Sequence, residues 1–184
     1  MVGELHYIAV SYFDWFIPAD RYFNPEILSA KHPWYEAFSL SLYAGFFEEC
    51  LFRAIPIAAG ALIGTRFRKR GLFIFIALIL QAIMFGSAHT WYLQEPAHAR
   101  IFELFLPSIL YGLFYIRFGL LPIIISHCLY GIIIFSTPIF KITSLEALTN
   151  QIILLAIVLL PLAIIIVQRL RQKAWIHLGD EYYN

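Results

Sequence analysis

Residues 37–64, AFSLSLYAGFFEECLFRAIPIAAGALIG, decide the fold. The run exceeds the roughly 20 largely apolar residues that cross a bilayer, yet it holds Glu48, Glu49 and Arg53 near its middle. A charged side chain at the centre of a membrane helix costs about 2.5 to 3.5 kcal/mol, so each one kept there needs a partner or a task. Glu49 and Arg53 stand four residues apart on one helical face with the acid first, the favourable order for an ion pair. Glu48 points about 100° away. One carboxylate is thus neutralised within its own helix and the other is left available. The plainer reading is a charge cluster that only glues helices together, but a single acid–base pair would do that without a second glutamate.

Outward from this run, the composition agrees with it. The chain has 184 residues, 61% hydrophobic and 14% charged, against roughly a quarter charged in soluble domains. A globule of this length could not hide so much apolar surface from water. Four more apolar stretches follow, Leu72 to Leu93, Ile101 to Phe118, Leu120 to Phe140 and Ile152 to Val167. The expected fold is all-α, a polytopic transmembrane helical bundle; a membrane barrel would show alternating segments of about ten residues, which are absent. Residues 1–36 read as an N-terminal segment in which Leu5 to Ile17, too short to span and ending at Pro18, is interfacial or partly inserted. Residues 37–168 read as the bundle and 169–184 as a cytoplasmic tail. Placing Arg66, Arg68, Lys69 and Arg70 inside puts Arg117 and the tail with Arg169, Arg171 and Lys173 on the same side, as the positive-inside rule asks. That basic run could also bind anionic lipid, but a topology anchor is the simpler reading. No removable signal peptide is recognisable at the N-terminus. The formal net charge of +1, from 13 basic and 12 acidic residues, offers no electropositive face, so nucleic acid is excluded as a partner.

The second and fourth apolar stretches each carry an intramembrane histidine, His89 after Phe85 and His127 after Ser126. A lone histidine there usually serves as an interhelical hydrogen-bonding residue; two of them with a spare glutamate suggest a reactive centre. At about 1.5 Å per residue, Glu48 lies roughly 16 Å and His127 roughly 20 Å below the outer ends of their stretches. His89 sits shallower unless its helix continues past Trp91 or tilts. His6, His32, His98 and His177 fall in flanks and read as surface residues. Cys50 and Cys128 exclude a disulfide framework and read as small apolar residues rather than nucleophiles. Pro107 and Pro122 read as ordinary helix kinks, with opening of a path for substrate as the functional alternative. Glu48, His89 and His127 also form a two-histidine, one-carboxylate set suited to zinc, although no His-Glu-x-x-His spacing is present.

These residues resemble the motifs of the CPBP family of glutamic intramembrane endopeptidases, also called the Abi or CAAX prenyl protease type II family. Its paired glutamates with arginine four residues after the second read here as Glu48, Glu49 and Arg53. Its phenylalanine followed by histidine four later reads as Phe85 and His89. Tyr111-Gly112-Leu113 through Phe118-Gly119-Leu120 to Ser126-His127 is similar to its third block. The resemblance covers about residues 37 to 135 and implies metal-free hydrolysis of a peptide bond with no cofactor. It implies Glu48 as the base that activates water, His89 holding that water, His127 turned to the oxyanion, and Glu49 with Arg53 fixing the helix. The family carries asparagine or aspartate four residues after the last histidine, where this chain has Gly131; Tyr130 or Ser126 is the candidate substitute. The expected partners are a lipidated or membrane-tethered peptide or protein substrate and the lipid bilayer, and the expected location is the bacterial plasma membrane. The alternatives are a non-catalytic membrane immunity or scaffold protein, a zinc-dependent membrane protease, and an ion carrier, the last disfavoured by the scarcity of polar residues in the third and fifth stretches.

Overall fold

The structure is a computed structural model that describes residues 10–13, 15, 25–91 and 95–173. Most of the expected interfacial segment Leu5 to Ile17, and the tail beyond Lys173, lie outside the described residues. Within that segment residues 10–13 are helical and the Trp15 ring lies 6.1 Å from that of Phe102.

Every described element is a helix of the expected all-α bundle. A short helix α1 (Pro25–Ser29) precedes α2 (Pro33–Glu49), a π-helical turn (Cys50–Ala54) and α3 (Ile55–Arg66), and the last three form one unbroken rod. Then come α4 (Arg70–Ala88), α5 (Ala99–Phe118), α6 (Leu120–Phe140) and α7 (Leu145–Gln172). The last four are each long and apolar enough to cross a membrane. The first expected stretch is instead a rod in three pieces that starts earlier, at Pro33, where a missing N–H costs nothing. The second stops at Ala88, short of the expected Leu93, leaving His89 as its cap.

Another difference concerns the last helix. Lys141 to Gln151 reads in sequence as a polar connection, but only residues 141–144 connect, and the helix runs on past Val167 to Gln172. Its polar first turns are used rather than solvated. Ser144 caps the helix by accepting from the Ala147 N–H at 3.1 Å. Asn150 Oδ1 accepts from the Trp34 N–H at 3.3 Å, satisfying an orphan donor at the start of α2. Gln151 Nε2 donates to the carbonyls of Ile139 and Ile142, stapling the end of α6.

The packing is inside out relative to a protein in water. Large apolar side chains point outward, Leu62 at 73%, Ile133 at 65% and Leu170 at 71% exposed, while Ser41, Glu49, Gln81 and Ser108 are at 0%. Such a surface is tolerable only in hydrocarbon, and the chain is a multi-pass membrane protein. With lipid as solvent, close backbone approach must hold the helices. α2 lies along α6, α3 along α4 and α4 along α5, and α7 leans on α2 and α6 through its first turns. Small residues line these contacts: a β-carbon on Gly45 would stand 2.9 Å from the Cys128 backbone nitrogen, and one on Gly86 2.7 Å from the Ile101 Cα. α5 and α6 are joined by Gly119 alone, at φ 83°, a conformation that other residues rarely adopt. The π turn and the residues around it sit where α2 and α6 meet α4 and α5.

Candidate active site

The π turn is dictated locally. Pro56 has no N–H for the Phe52 carbonyl one turn back and its ring crowds that carbonyl, so the backbone widens just ahead of it. The Ile55 N–H donates instead to the Cys50 carbonyl, five residues earlier. Glu48 and Glu49 are the last residues of α2 and Arg53 lies within the wide turn.

Three of the expected residues converge on one oxygen. Glu48 Oε2 lies 3.5 Å from His89 Nε2 and 3.7 Å from His127 Nε2. The carboxylate is 20% exposed, against 12% and 16% for the two imidazoles, so the group opens on one side and is walled on the others. His89 reaches it although α4 ends one residue before, because Phe85, a turn below, anchors the ring. His89 Nδ1 lies 2.7 Å from the Phe85 carbonyl oxygen, which can only accept. Nδ1 therefore carries a proton, and Nε2 is the nitrogen turned to Glu48.

His127 is oriented in the same sense by a different acceptor. Its Nδ1 donates to Glu49 Oε1 at 2.6 Å, and its Nε2 faces Glu48. Glu49 is fully buried and also meets Arg53, Oε2 to Nε at 3.3 Å. The ion pair expected from the four-residue spacing is present; the second use of Glu49, as the partner of an imidazole 78 residues away, was not foreseen. The Arg53 guanidinium lies over the Phe85 ring at 3.9 Å from its centroid, where cation–π attraction replaces some of the lost hydration. Tyr111, named in sequence only as part of a motif, has its ring 5.6 Å from the guanidinium and 5.9 Å edge-on from His127.

Other residues missed in sequence are Gln81 and Ser108, both fully buried beside Arg53. Their signal was available: an amide in the middle of α4 and a hydroxyl behind Pro107 in α5 are costly in hydrocarbon unless paired. The remaining candidates make other contacts. Cys128 presses against Gly45 and Tyr130 is 60% exposed. Ser126 Oγ is 3.2 Å from Tyr111 Oη. Gly131 is turned to α2, where a β-carbon would meet Ser41 Oγ at 3.1 Å. Pro107 lies inside α5, and Pro122 falls in the first turn of α6, where no donor is needed. Among the described residues no group of three or more His, Cys, Asp or Glu is disposed to hold a metal ion.

Chemically, the arrangement can hold a water between a carboxylate and two imidazole nitrogens, with the Nδ1 protons of both rings already committed. Glu48 and Glu49 face one guanidinium, so one further proton, held on a ring, would leave the buried cluster neutral.

One family model matches residues 30–133, that of the Type II CAAX prenyl endopeptidase Rce1-like family. No curated protein and no solved structure matches the chain. The matched stretch runs from just ahead of α2 into α6 and takes in Glu48, Glu49, Arg53, His89 and His127.

Proposed function

The chain belongs to the type II CAAX prenyl endopeptidase, Rce1-like, family, and from that premise we propose that it is a glutamic intramembrane endopeptidase acting on a lipidated or membrane-tethered protein. The observation that carries this reading is the approach of Glu48 Oε2 to the Nε2 atoms of both histidines at 3.5 and 3.7 Å. Residues 37–168 form its protease-like bundle.

Water is held by Glu48 and by the Nε2 lone pair of His89. Glu48 takes a proton from it as the oxygen bonds to the scissile carbonyl carbon and the carbonyl π pair moves to oxygen. His127, its Nδ1 proton held by Glu49, receives that proton from Glu48 at Nε2 and donates it as a hydrogen bond to the resulting oxyanion. That proton then passes to the amide nitrogen as the C–N bond breaks, and Glu48 and the His127 ring return to their starting forms. Glu49 and Arg53 do not touch substrate; they hold His127. With that proton on His127 the charges of Glu48, Glu49, Arg53 and the ring cancel, which suits a site walled by lipid and apolar rings.

His89 caps the end of α4 opposite the basic run at Arg66 to Arg70. With that run inside, His89 stands on the outer side of the group, which suits a bacterial plasma-membrane enzyme cutting a tethered peptide better than one trimming prenylated tails from the cytoplasm. A second reading, a non-catalytic immunity or scaffold protein on the same helices, draws on Gly131, which stands where the family carries asparagine or aspartate and packs against Ser41.

The test compares purified wild type with Glu48→Gln and His127→Ala on membrane-tethered peptides, with and without chelator. Cleavage lowered by about 10² to 10⁴ in each variant and indifferent to chelator supports the glutamic reading. Cleavage abolished by chelator overturns it in favour of zinc, and no cleavage by any form favours the scaffold.

A further inference from the structure

Arg53 is anchored at a point that the chemistry above does not use. Its Nη2 donates to Ser108 Oγ at 3.1 Å, Ser108 Oγ donates to Gln81 Oε1 at 3.0 Å, and Gln81 Nε2 donates to the carbonyls of Leu78 and Ser108, each at 3.0 Å. Gln81 and Ser108 are both at 0% exposure. Among the described residues the bond to Ser108 is the one hydrogen bond of the guanidinium, since Nε meets Glu49 without hydrogen-bond geometry and Nη1 has no partner.

The donor–acceptor order is forced from Gln81 through Ser108 to Arg53. Two backbone carbonyls can only accept, so the Gln81 amide must present its NH₂ to them and its oxygen to Ser108. The Ser108 proton is thereby spent on Gln81, and its lone pairs face Arg53, which can only donate. Arg53 then pairs by charge with one oxygen of Glu49, whose other oxygen accepts from His127 Nδ1. The nitrogen left facing Glu48 is Nε2. A flexible arginine that is not tied down at its far end has many rotamers to lose, and each of them would release Glu49.

We propose that Gln81 and Ser108 are positioning residues that, through Arg53 and Glu49, set which ring nitrogen of His127 carries the proton and which faces Glu48. The proposal deepens the reading above and rests on it for the effect on turnover, but not for the effect on the ring. Simple packing is the competing account: two buried polar groups that satisfy each other where α4 and α5 cross.

The two accounts separate in Ser108→Ala and Gln81→Met, each measured in the full chain in lipid nanodiscs with ¹⁵N-labelled histidine. In wild type the His127 ring should show a protonated Nδ1. Both variants should show a mixture of ring forms at the same pH, with kcat on a tethered peptide down about 10- to 100-fold, the range for a displacement of about 1 Å, and KM within about twofold if chemistry alone is touched. Wild-type ring signals in both variants overturn the proposal, whether or not the melting temperature falls, because packing alone would lower stability and leave the tautomer unmoved. If Glu48→Gln still cleaves, the protease reading fails, and the ring signals still decide the link from Gln81 to His127.

Discussion

At residue 131 a side chain has nowhere to go. A β-carbon there would stand 3.1 Å from Ser41 Oγ and 3.2 Å from its Cβ, so Gly131→Asn must push α6 from α2 and should cost about 1 to 3 kcal/mol, the usual penalty for overpacking. Thermal unfolding in nanodiscs checks this, and turnover should not rise, since parting α2 from α6 also parts Glu49 from His127. Adding Ser41→Gly should recover part of the lost stability. Glu49→Gln tests the other end of the dyad. The amide can turn its NH₂ toward His127 and drive the ring to the opposite tautomer, so kcat should fall by about 10² to 10⁴ with KM little changed; an unchanged kcat would remove Glu49 from the mechanism. The ion pair of Glu49 with Arg53 was legible in sequence because helical periodicity fixes a four-residue neighbour. Its bond to His127 was not, because a carboxylate has two oxygens and the spacing accounts for only one of them. The second partner lies 78 residues away, set by how α2 and α6 cross.

Among the elements, the π turn does most to shape the site, and its cause was present in the sequence as Pro56. Pro56→Ala supplies the missing N–H to the Phe52 carbonyl and lets Cys50 to Ala54 close into regular helix. That change would rotate Arg53 and α3 relative to the two glutamates. Turnover should drop at least about 10-fold, in line with the cost of a 1 Å misplacement, while the melting temperature holds or rises, and the two measured together separate misplacement from unfolding. The helix α7 shows the opposite lesson. Glu146, Thr149, Asn150 and Gln151 look in sequence like a solvated connection, with the apolar span beginning only at Ile152. In the fold two of them are staples to α2 and α6. Polar residues near a membrane surface carry no sign of whether they face water or a neighbouring helix end, so composition alone could not decide. Asn150→Leu removes the acceptor for Trp34 and should cost about 1 to 3 kcal/mol, the desolvation penalty of the orphaned donor, read by thermal unfolding.

On the scale of the whole molecule, alternation of the rod and the four long helices puts the Arg66 to Arg70 turn, Gly119 and the end of α7 on one face, and residues 141–144 on the other. Cysteines placed at Arg68 and Lys173 should therefore react with an impermeant thiol reagent from the same side of sealed vesicles, and one at Thr143 from the opposite side. Any other pattern overturns the orientation. The bundle class was readable because hydrocarbon imposes its composition on every helix; which helices lie side by side was not, because all their outer faces look alike and small residues such as Gly45 and Gly86 do not name their partners. The reacting groups are drawn from separate helices in a fixed order, Glu48 and Glu49 on α2, His89 at the end of α4 and His127 on α6. A ribosome delivers the two acids and the first imidazole to the bilayer well before the last ring. On the proposed roles, a nascent chain is inert toward the insertion machinery beside it until α6 has threaded in, and a truncation after Phe118 should insert yet cleave nothing.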